Sequence, residues 1–458
     1  MILAELLAAI LLIFAAGFGF SCSIFARTGR VNLVECTCLG WLFGSGIVSL
    51  LLWICGTFCS GFVLQAIVTI ACLGLGIFGW RAKQHAGARF ALPTPSNLVE
   101  WILAGTVVFE IAVLFFVSFK HTLGWDGLLN WEIKARYAFL NDGVIPLSYY
   151  SSAGRGFTHP EYPLGIPLTE LWLYLWMGEP HQFWVKIIFP LFYAAGAGLL
   201  ALLVARLSGK RWLGLLIAAL FPLVPSISAA PGGIVVGYVD VPLGVFYLAA
   251  LGYLLCWFRK DDFSSIAGFA ACNAFLPWIK SEGVILCFVL ALLGLLLGLL
   301  KRRAAPFLIS IAPTVFIIVG WRVYLRLVHI FPHSDFARPS FSLLQDNAGR
   351  LHEIFRVLFV ELSEPVHWSI FWLLAAAAVI YLFASRKVEK TVLAAAVLLP
   401  ILLYALTYLF SNWPSYTAHM TSSIPRLLLH VMPAAWLAIG LALSSPKTKT
   451  ETLEPKLD

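Results

Sequence analysis

Charged residues are scarce in this sequence. Asp, Glu, Lys and Arg make up 12% of its 458 residues, whereas hydrophobic residues make up 60%. Soluble domains contain about 25% charged residues. Together with a mean hydropathy of +0.89, this composition excludes a soluble globular protein and indicates a chain that crosses a membrane many times.

The sequence also lacks the short motifs of nucleotide and zinc chemistry. It contains no P-loop, no GxGxxG segment after a strand and no HExxH pair, so nucleotide binding and metalloprotease chemistry have no support. Its nine cysteines are scattered, mostly within apolar runs, and form no cluster with metal-ligand spacing. We therefore predict no metal ligands and no certain cofactor, while a divalent cation stays open.

The net charge of +8 does not indicate a nucleic-acid partner, because the basic residues lie in short loops between apolar runs. With the N-terminus outside, the inner loops and the tail hold 19 of the 31 Lys and Arg residues. Inner loops of membrane proteins are enriched in these residues. The sequence predicts an N-out, C-in protein, and the absence of a targeting segment is typical of the bacterial inner membrane.

Apolar stretches long enough to cross a membrane recur along the chain, and they predict an all-α polytopic fold with about thirteen transmembrane helices. The predicted spans are 2–25, 33–54, 62–80, 98–118, 183–205, 212–229, 236–257, 264–280, 283–300, 305–328, 368–384, 391–411 and 427–444. The chain is predicted to divide into an N-terminal four-span region (1–118), a first large outer loop (119–182), a central bundle (183–328), a second outer loop (329–367), a C-terminal three-span region (368–444) with an outer segment (412–426), and a cytoplasmic tail (445–458).

The outer loop 119–182 is the most informative region, because loops of this length are usually functional or disordered, and this one is rich in Trp, Tyr and Pro. Within it, Leu129, Ile133 and Leu140 recur at helical spacing. They predict an amphipathic helix that lies in the membrane interface.

Two acids at the outer rim are the candidate catalytic residues. Asp126 follows the fourth span, and Asp240 is the only acid of the seventh span. Acids from distant segments of the sequence that meet on one membrane face suit an acid–base or cation site. The alternatives are that Asp126 caps a helix and that Asp240 forms a structural pair with a nearby Lys or Arg.

Further charged residues interrupt apolar sequence on the same side. Lys280 and Glu282 lie at the outer end of the predicted eighth span. They either pair with each other, or Lys280 contacts a phosphate and Glu282 accepts a hydrogen bond from a sugar hydroxyl. Arg426 opens the last span and suits a lipid-linked phosphate, although snorkelling to ordinary lipid phosphate is the alternative. His159 and Glu161 lie in the HPEYP turn, which its proline residues make rigid. Aromatic residues such as Tyr162 are suited to stacking on a sugar, and equally to the belt of aromatic residues at a membrane interface.

These motifs in this order resemble the GT-C superfamily of membrane glycosyltransferases. The likeness is to the bacterial branch related to the protein O-mannosyltransferases, the lipid A aminoarabinose transferase and the Rgt-type galacturonic acid transferases. It rests on segments that together span residues 120–435: WDGLLNWEIKAR (125–136), HPEYPLGIP (159–167), GYVDVPLG (237–244), IKSEG (279–283) and TSSIPRLLLHVMP (421–433).

The resemblance implies an inverting transfer of sugar from a polyprenyl-phosphate donor to a lipid, glycan or protein acceptor on the outer face. It implies that Asp126 is the base, that Asp240 orients the site, and that Lys134, Lys280 and Arg426 hold the donor phosphate. The full predicted substrate-binding set is Lys134, Arg136, His159, Glu161, Tyr162, Lys280, Glu282 and Arg426.

The chain departs from this family in two ways. Four predicted spans precede the large outer loop, whereas many relatives have one span there. Protein mannosyltransferases carry two adjacent acids in this loop, whereas here Asp126 is followed by Gly127. The competing interpretations are a transporter or flippase of lipid-linked sugars, which would use the same charges for binding, and a non-catalytic scaffold. The charges lie at outer span ends rather than at mid-bilayer, which favours the enzyme.

Overall fold

The computed structural model describes residues 2–228, 233–330 and 335–444. His333 of the predicted second outer loop and the predicted cytoplasmic tail 445–458 lie outside the described residues. The described chain is almost entirely helical, as expected for an all-α polytopic membrane protein.

Helices make up the architecture, and they are numbered here in chain order. They are α1 Ile2–Phe25, α2 Leu33–Gly56, α3 Gly61–His85, α4 Leu98–Ser118, α5 Ile133–Leu140, α6 Leu147–Ser151, α7 Gly165–Met177, α8 Gln182–Val185, α9 Ile188–Ser208, α10 Arg211–Leu220, α11 Pro225–Ser228, α12 Asp240–Lys260, α13 Phe263–Ile279, α14 Gly283–Leu300, α15 Ala304–Leu327, α16 Phe341–Asn347, α17 Leu351–Leu362, α18 Pro365–Trp368, α19 Phe371–Ala384, α20 Val388–Thr407 and α21 Tyr416–Leu443. A π-helix, Gly127–Glu132, leads directly into α5.

Within the described residues, ten helical segments are long and apolar enough to cross a membrane. They correspond to ten of the thirteen predicted spans. The other three predicted spans form shorter apolar helices, Arg211–Leu223, Phe263–Ile279 and Phe371–Ala384. The polytopic fold is therefore confirmed, while the count of thirteen stays a prediction.

Small residues bring the first three helices into close contact. A Cβ on Gly44 of α2 would overlap the backbone oxygen of Ile13 in α1, and a Cβ on Gly79 of α3 would overlap the backbone of Gly19. Close packing of backbones at small residues is a common basis of helix association in membranes. On the side predicted to be cytoplasmic, β1 (Arg30–Asn32) and β2 (Arg89–Ala91) pair in parallel, which departs from the predicted all-α fold.

The core is built around α12, the most completely buried of the long helices. Every residue from Asp240 to Trp257 is buried, so α12 has no side for lipid, and it packs against α9, α13 and α21. Because Asp240 is the first residue of this central helix, an ionisable group lies at the end of the core that is predicted to be outer.

The predicted outer loop 119–182 contains a buried helix as well as surface helices. In α7, Trp172 Nε1 donates to Ala9 O of α1 at 3.1 Å, and Thr169 Oγ1 donates to Ser45 O of α2 at 3.4 Å. α5 packs against α7 through Lys134, Ala135 and Ala138. The predicted apolar stripe of Leu129, Ile133 and Leu140 lies on the partly exposed side of the π-helix and α5.

The predicted outer segment 412–426 is mostly helical, because α21 already begins at Tyr416. The Ser415 side chain caps this helix by accepting a hydrogen bond from the backbone N–H of Ala418 at 3.2 Å. Arg426 therefore lies inside a continuous helix, more than two turns from its N-terminus.

Candidate functional site

The carboxylate of Asp240 is completely buried and has three basic partners. Lys280 Nζ lies 2.7 Å and His430 Nε2 lies 2.8 Å from its Oδ1, while Arg426 Nε lies 3.2 Å from its Oδ2. A buried carboxylate is costly unless it is paired and hydrogen-bonded. Asp240 also begins a helix, where the helix dipole favours negative charge.

Lys280 occupies an extended break between α13 and α14. The break follows Pro277, and Gly283 closes it, where a Cβ would overlap the backbone oxygen of Leu276. This geometry turns the Lys280 ammonium inward, to Asp240 and to Glu282 Oε1 at 2.9 Å. The local pair with Glu282 and the long-range pair with Asp240 therefore coexist.

Arg426 connects the two acids that the sequence singled out. Its Nε contacts Asp240, a terminal nitrogen of its guanidinium contacts Asp126 Oδ2, and the guanidinium lies 5.0 Å over the ring of Tyr238. A planar guanidinium with several donors suits such a bridge, whereas a lysine ammonium presents a point charge.

The backbone holds Asp126 at this place. The Gly124 N–H donates to Val236 O at 2.8 Å, and a Cβ on Gly127 would come within 2.6 Å of the same oxygen. The loop before the π-helix thus lies directly against the loop before α12. The side chain of Asp126 is 12% exposed, whereas that of Asp240 is fully enclosed, so Asp126 is the more exposed of these two acids.

Lys134 does not join the ion-paired cluster. Its Nζ donates to the backbone oxygen of His159 at 2.8 Å and lies 5.3 Å from the ring of Trp131. Burial lowers the pKa of this lysine to about 7, against the opposing effect of the carboxylates of Glu161, Asp126 and Glu170. Lys134 therefore fastens the HPEYP turn to α5.

The HPEYP turn brings Tyr162 next to the cluster. The ring of Tyr162 stacks on His159 at 4.6 Å, and His159 Nδ1 lies 3.2 Å from Glu161 Oε1. Burial raises the pKa of the Tyr162 hydroxyl well above its ordinary value, and the carboxylates of Glu282, Asp335 and Glu161 add to this while Arg426 opposes it. The ring of Tyr162 also packs on Trp131 of the π-helix, with 5.7 Å between the ring centroids.

Arg136, like Lys134, lies apart from the ion-paired cluster. It pairs at 3.2 Å with Glu132, one helical turn earlier, and its side chain is 41% exposed. The Glu132 carboxylate is buried and also accepts a hydrogen bond from the Tyr174 hydroxyl.

Sequence reasoning missed His430 and Tyr404. His430 is fully buried, and its Nδ1 lies 3.2 Å from the Tyr404 hydroxyl, so with Asp240 on Nε2 both ring nitrogens have partners. The available signal was the spacing of four residues between Arg426 and His430, which places both on one face of a helix.

Within residues 2–228, 233–330 and 335–444, no group of three or more His, Cys, Asp and Glu side chains could hold a metal ion. Asp240, the most buried acid of the site, already has three protein partners.

The arrangement therefore offers a slightly exposed carboxylate on Asp126, a slightly exposed guanidinium on Arg426 and a buried network that fixes both. Comparisons of this chain with models of protein families, with curated proteins and with solved structures find no match.

Proposed function

We propose that this protein is a membrane glycosyltransferase of the polyprenyl-phosphate-dependent kind, which transfers a sugar to a lipid, glycan or protein acceptor on the outer, periplasmic face of a bacterial inner membrane. The observation that carries the proposal is the bridge from Arg426 to both Asp126 and Asp240. It unites residues from three distant segments at one end of the bundle.

Asp126 acts as the general base in this proposal. The acceptor oxygen attacks the anomeric carbon, its proton passes to the Asp126 carboxylate, and the bond from that carbon to the phosphate oxygen breaks. The electron pair leaves with the polyprenyl phosphate, and the configuration inverts. General-base assistance of this kind contributes about 10²–10⁴-fold to a rate.

Arg426 holds the leaving phosphate. Its side chain is 18% exposed, whereas the Lys280 ammonium is enclosed and shared by Asp240 and Glu282. We therefore assign Lys280 to positioning Asp240 and Arg426 to contacting the phosphate. A phosphate at the guanidinium competes with Asp126 for the same donors, so donor binding frees the base.

The proposed orientation places this site outside. It is supported by the 19 Lys and Arg residues that fall on the opposite side when the N-terminus is outside. An outer site needs a lipid-linked donor rather than a nucleotide sugar, which fits a sequence that lacks nucleotide-binding motifs.

The test is sugar transfer by the purified protein in nanodiscs, with a panel of radiolabelled polyprenyl-phosphate sugars and an envelope extract as acceptor. Asp126→Asn is compared with Asp142→Asn, the same change at an exposed residue of the same outer segment. We expect transfer by the wild type and by Asp142→Asn, and a loss of about 10²–10⁴-fold in Asp126→Asn.

The other outcomes are equally informative. Full transfer by Asp126→Asn would remove Asp126 as the base. Binding of a donor without transfer, together with its movement across a vesicle membrane, would replace the enzyme with a transporter of lipid-linked sugars.

A further inference from the structure

A short antiparallel pairing joins the predicted second outer loop (329–367) to the chain at the start of the predicted outer segment 412–426. Residues 335–337 run antiparallel to residues 410–412, with the Ala337 N–H donating to Phe410 O at 2.7 Å and the Asn412 N–H donating to Asp335 O at 2.8 Å. This pairing places Asp335 beside Trp413, the residue that follows Asn412 in the chain.

The indole of Trp413 is held on one edge and on one face. Its Nε1 donates to Asp335 Oδ1 at 2.9 Å, and its ring stacks on His419 at 4.6 Å with only 8° between the planes. His419 is itself fixed, because its Nδ1 lies 2.8 Å from Ser411 Oγ and its ring packs on Phe336. Trp413 nevertheless remains 41% exposed.

A tryptophan at the end of a membrane helix is often an interfacial anchor. Here the indole N–H, which in an anchor faces the lipid headgroups, is already used by Asp335. Along the chain, the nearby residues Asn412 and Ser415 are exposed and polar, unlike a lipid-facing surface. The exposed face is thus a rigid aromatic surface beside a carboxylate, in polar surroundings.

This surface lies in line with the proposed active site. His419, Ser423, Arg426 and His430 follow a spacing of four, three and four residues, so they share one face of α21. His419 and Arg426 are seven residues apart, which is about 10 Å along a helix.

We propose that Trp413 and Asp335 form a carbohydrate-binding subsite, and that the acceptor is therefore a glycan or a glycan-bearing molecule. The inference rests on the proposed function, which leaves the acceptor class open. One face of a pyranose ring carries C–H groups that pack on the negatively polarised face of an indole. The ring hydroxyls donate to a carboxylate oxygen, which Asp335 offers beside the indole.

A binding experiment tests the subsite without requiring catalysis. A panel of methyl pyranosides and disaccharides is screened against the protein in nanodiscs by saturation-transfer NMR. The variants are Trp413→Ala, Trp413→Phe and Asp335→Asn, and the matched control is Trp101→Ala, which removes an exposed tryptophan from α4. Thermal unfolding of each variant identifies any that fail to fold.

We expect at least one sugar to bind the wild type and Trp101→Ala, with roughly tenfold weaker binding in Trp413→Ala. Trp413→Phe keeps the aromatic face and retains some of the binding, and Asp335→Asn weakens it. No binding to the wild type, or equal binding by wild type and Trp413→Ala, overturns the subsite.

A transfer assay then separates this inference from the proposed function. With a glycan acceptor, Trp413→Ala should raise the acceptor KM roughly tenfold. Sugar binding that depends on Trp413 in a protein that transfers nothing keeps the subsite and removes the enzyme. Transfer that depends on Asp126 but not on Trp413 keeps the enzyme and removes the subsite.

Discussion

Lys280 and Asp240, forty positions apart in sequence, form an ion pair of 2.7 Å in which both side chains are enclosed by protein. The pair links the break between α13 and α14 to the first residue of the central helix. It therefore belongs to the class of buried pairs in which the removal of one partner is strongly destabilising.

Replacing Lys280 with Met should destabilise the protein by about 3–5 kcal/mol, because Asp240 would keep its burial and lose a cation. The measurement is unfolding in mixed detergent micelles. The double variant Lys280→Met/Asp240→Asn should recover some of this loss, since it removes both charges. A loss that is equal in the single and double variants would contradict a direct coupling. The exposed pair Arg356–Glu353 supplies the control, and Arg356→Gln should change stability little.

The buried Lys134 should make stability depend on pH in the alkaline range. Burial lowers its pKa in the folded protein from 10.5 to about 7. Between these values the unfolded chain binds more protons than the folded one, so stability rises as pH rises from about 7 to about 10.5. The penalty for burying the ammonium is fully present below pH 7.

The measurement is the melting temperature of wild type and Lys134→Met across pH 6 to 10.5. Lys134→Met lacks the titrating group, so its melting temperature should gain less over this range than that of the wild type. Parallel curves for the two proteins would show that Lys134 titrates alike in the folded and unfolded states.

Replacing each of two buried acids near α7 should have opposite effects on the stability of the protein. Neither carboxyl oxygen of Glu170 has a hydrogen-bond partner, whereas Glu132 accepts from the Tyr174 hydroxyl at 2.9 Å and from Gln182 Nε2 at 3.3 Å. Glu170→Met should raise the melting temperature, because it replaces an unsatisfied polar group with an apolar one. Glu132→Met should destabilise by about 1–3 kcal/mol, because it leaves the Tyr174 hydroxyl unpaired. A melting temperature that falls equally in both variants would indicate a partner for Glu170.

The membrane-spanning helices could be located from sequence because each one needs a long apolar run. The buried helix α7 escaped this criterion. It has thirteen residues, fewer than a span requires, and it lies in a region whose polar residues suggested a surface loop. Its burial depends on contacts with α1 and α2, which are more than a hundred residues away in sequence.

For the site, the sequence predicted which charges are unusual but not how they combine. Asp126, Asp240, Lys280 and Arg426 stood out because charges at the ends of apolar runs are costly. Their pairing depends on where the helices end in space, so the bridge by Arg426 could not be derived. His430 was missed because a histidine in an apolar run carries less charge cost than an arginine, and Arg136 was included because it is the last residue of the motif 125–136.

The contact between Arg426 and Asp126 bears on which buffer anion is used to purify the protein. The guanidinium holds Asp126 through a charge-assisted contact, and a small oxyanion competes for the same donors. We expect phosphate or sulfate buffer to favour a displaced Asp126, and chloride buffer to leave the bridge closed. The choice of buffer anion becomes a variable that sets which resting state is observed.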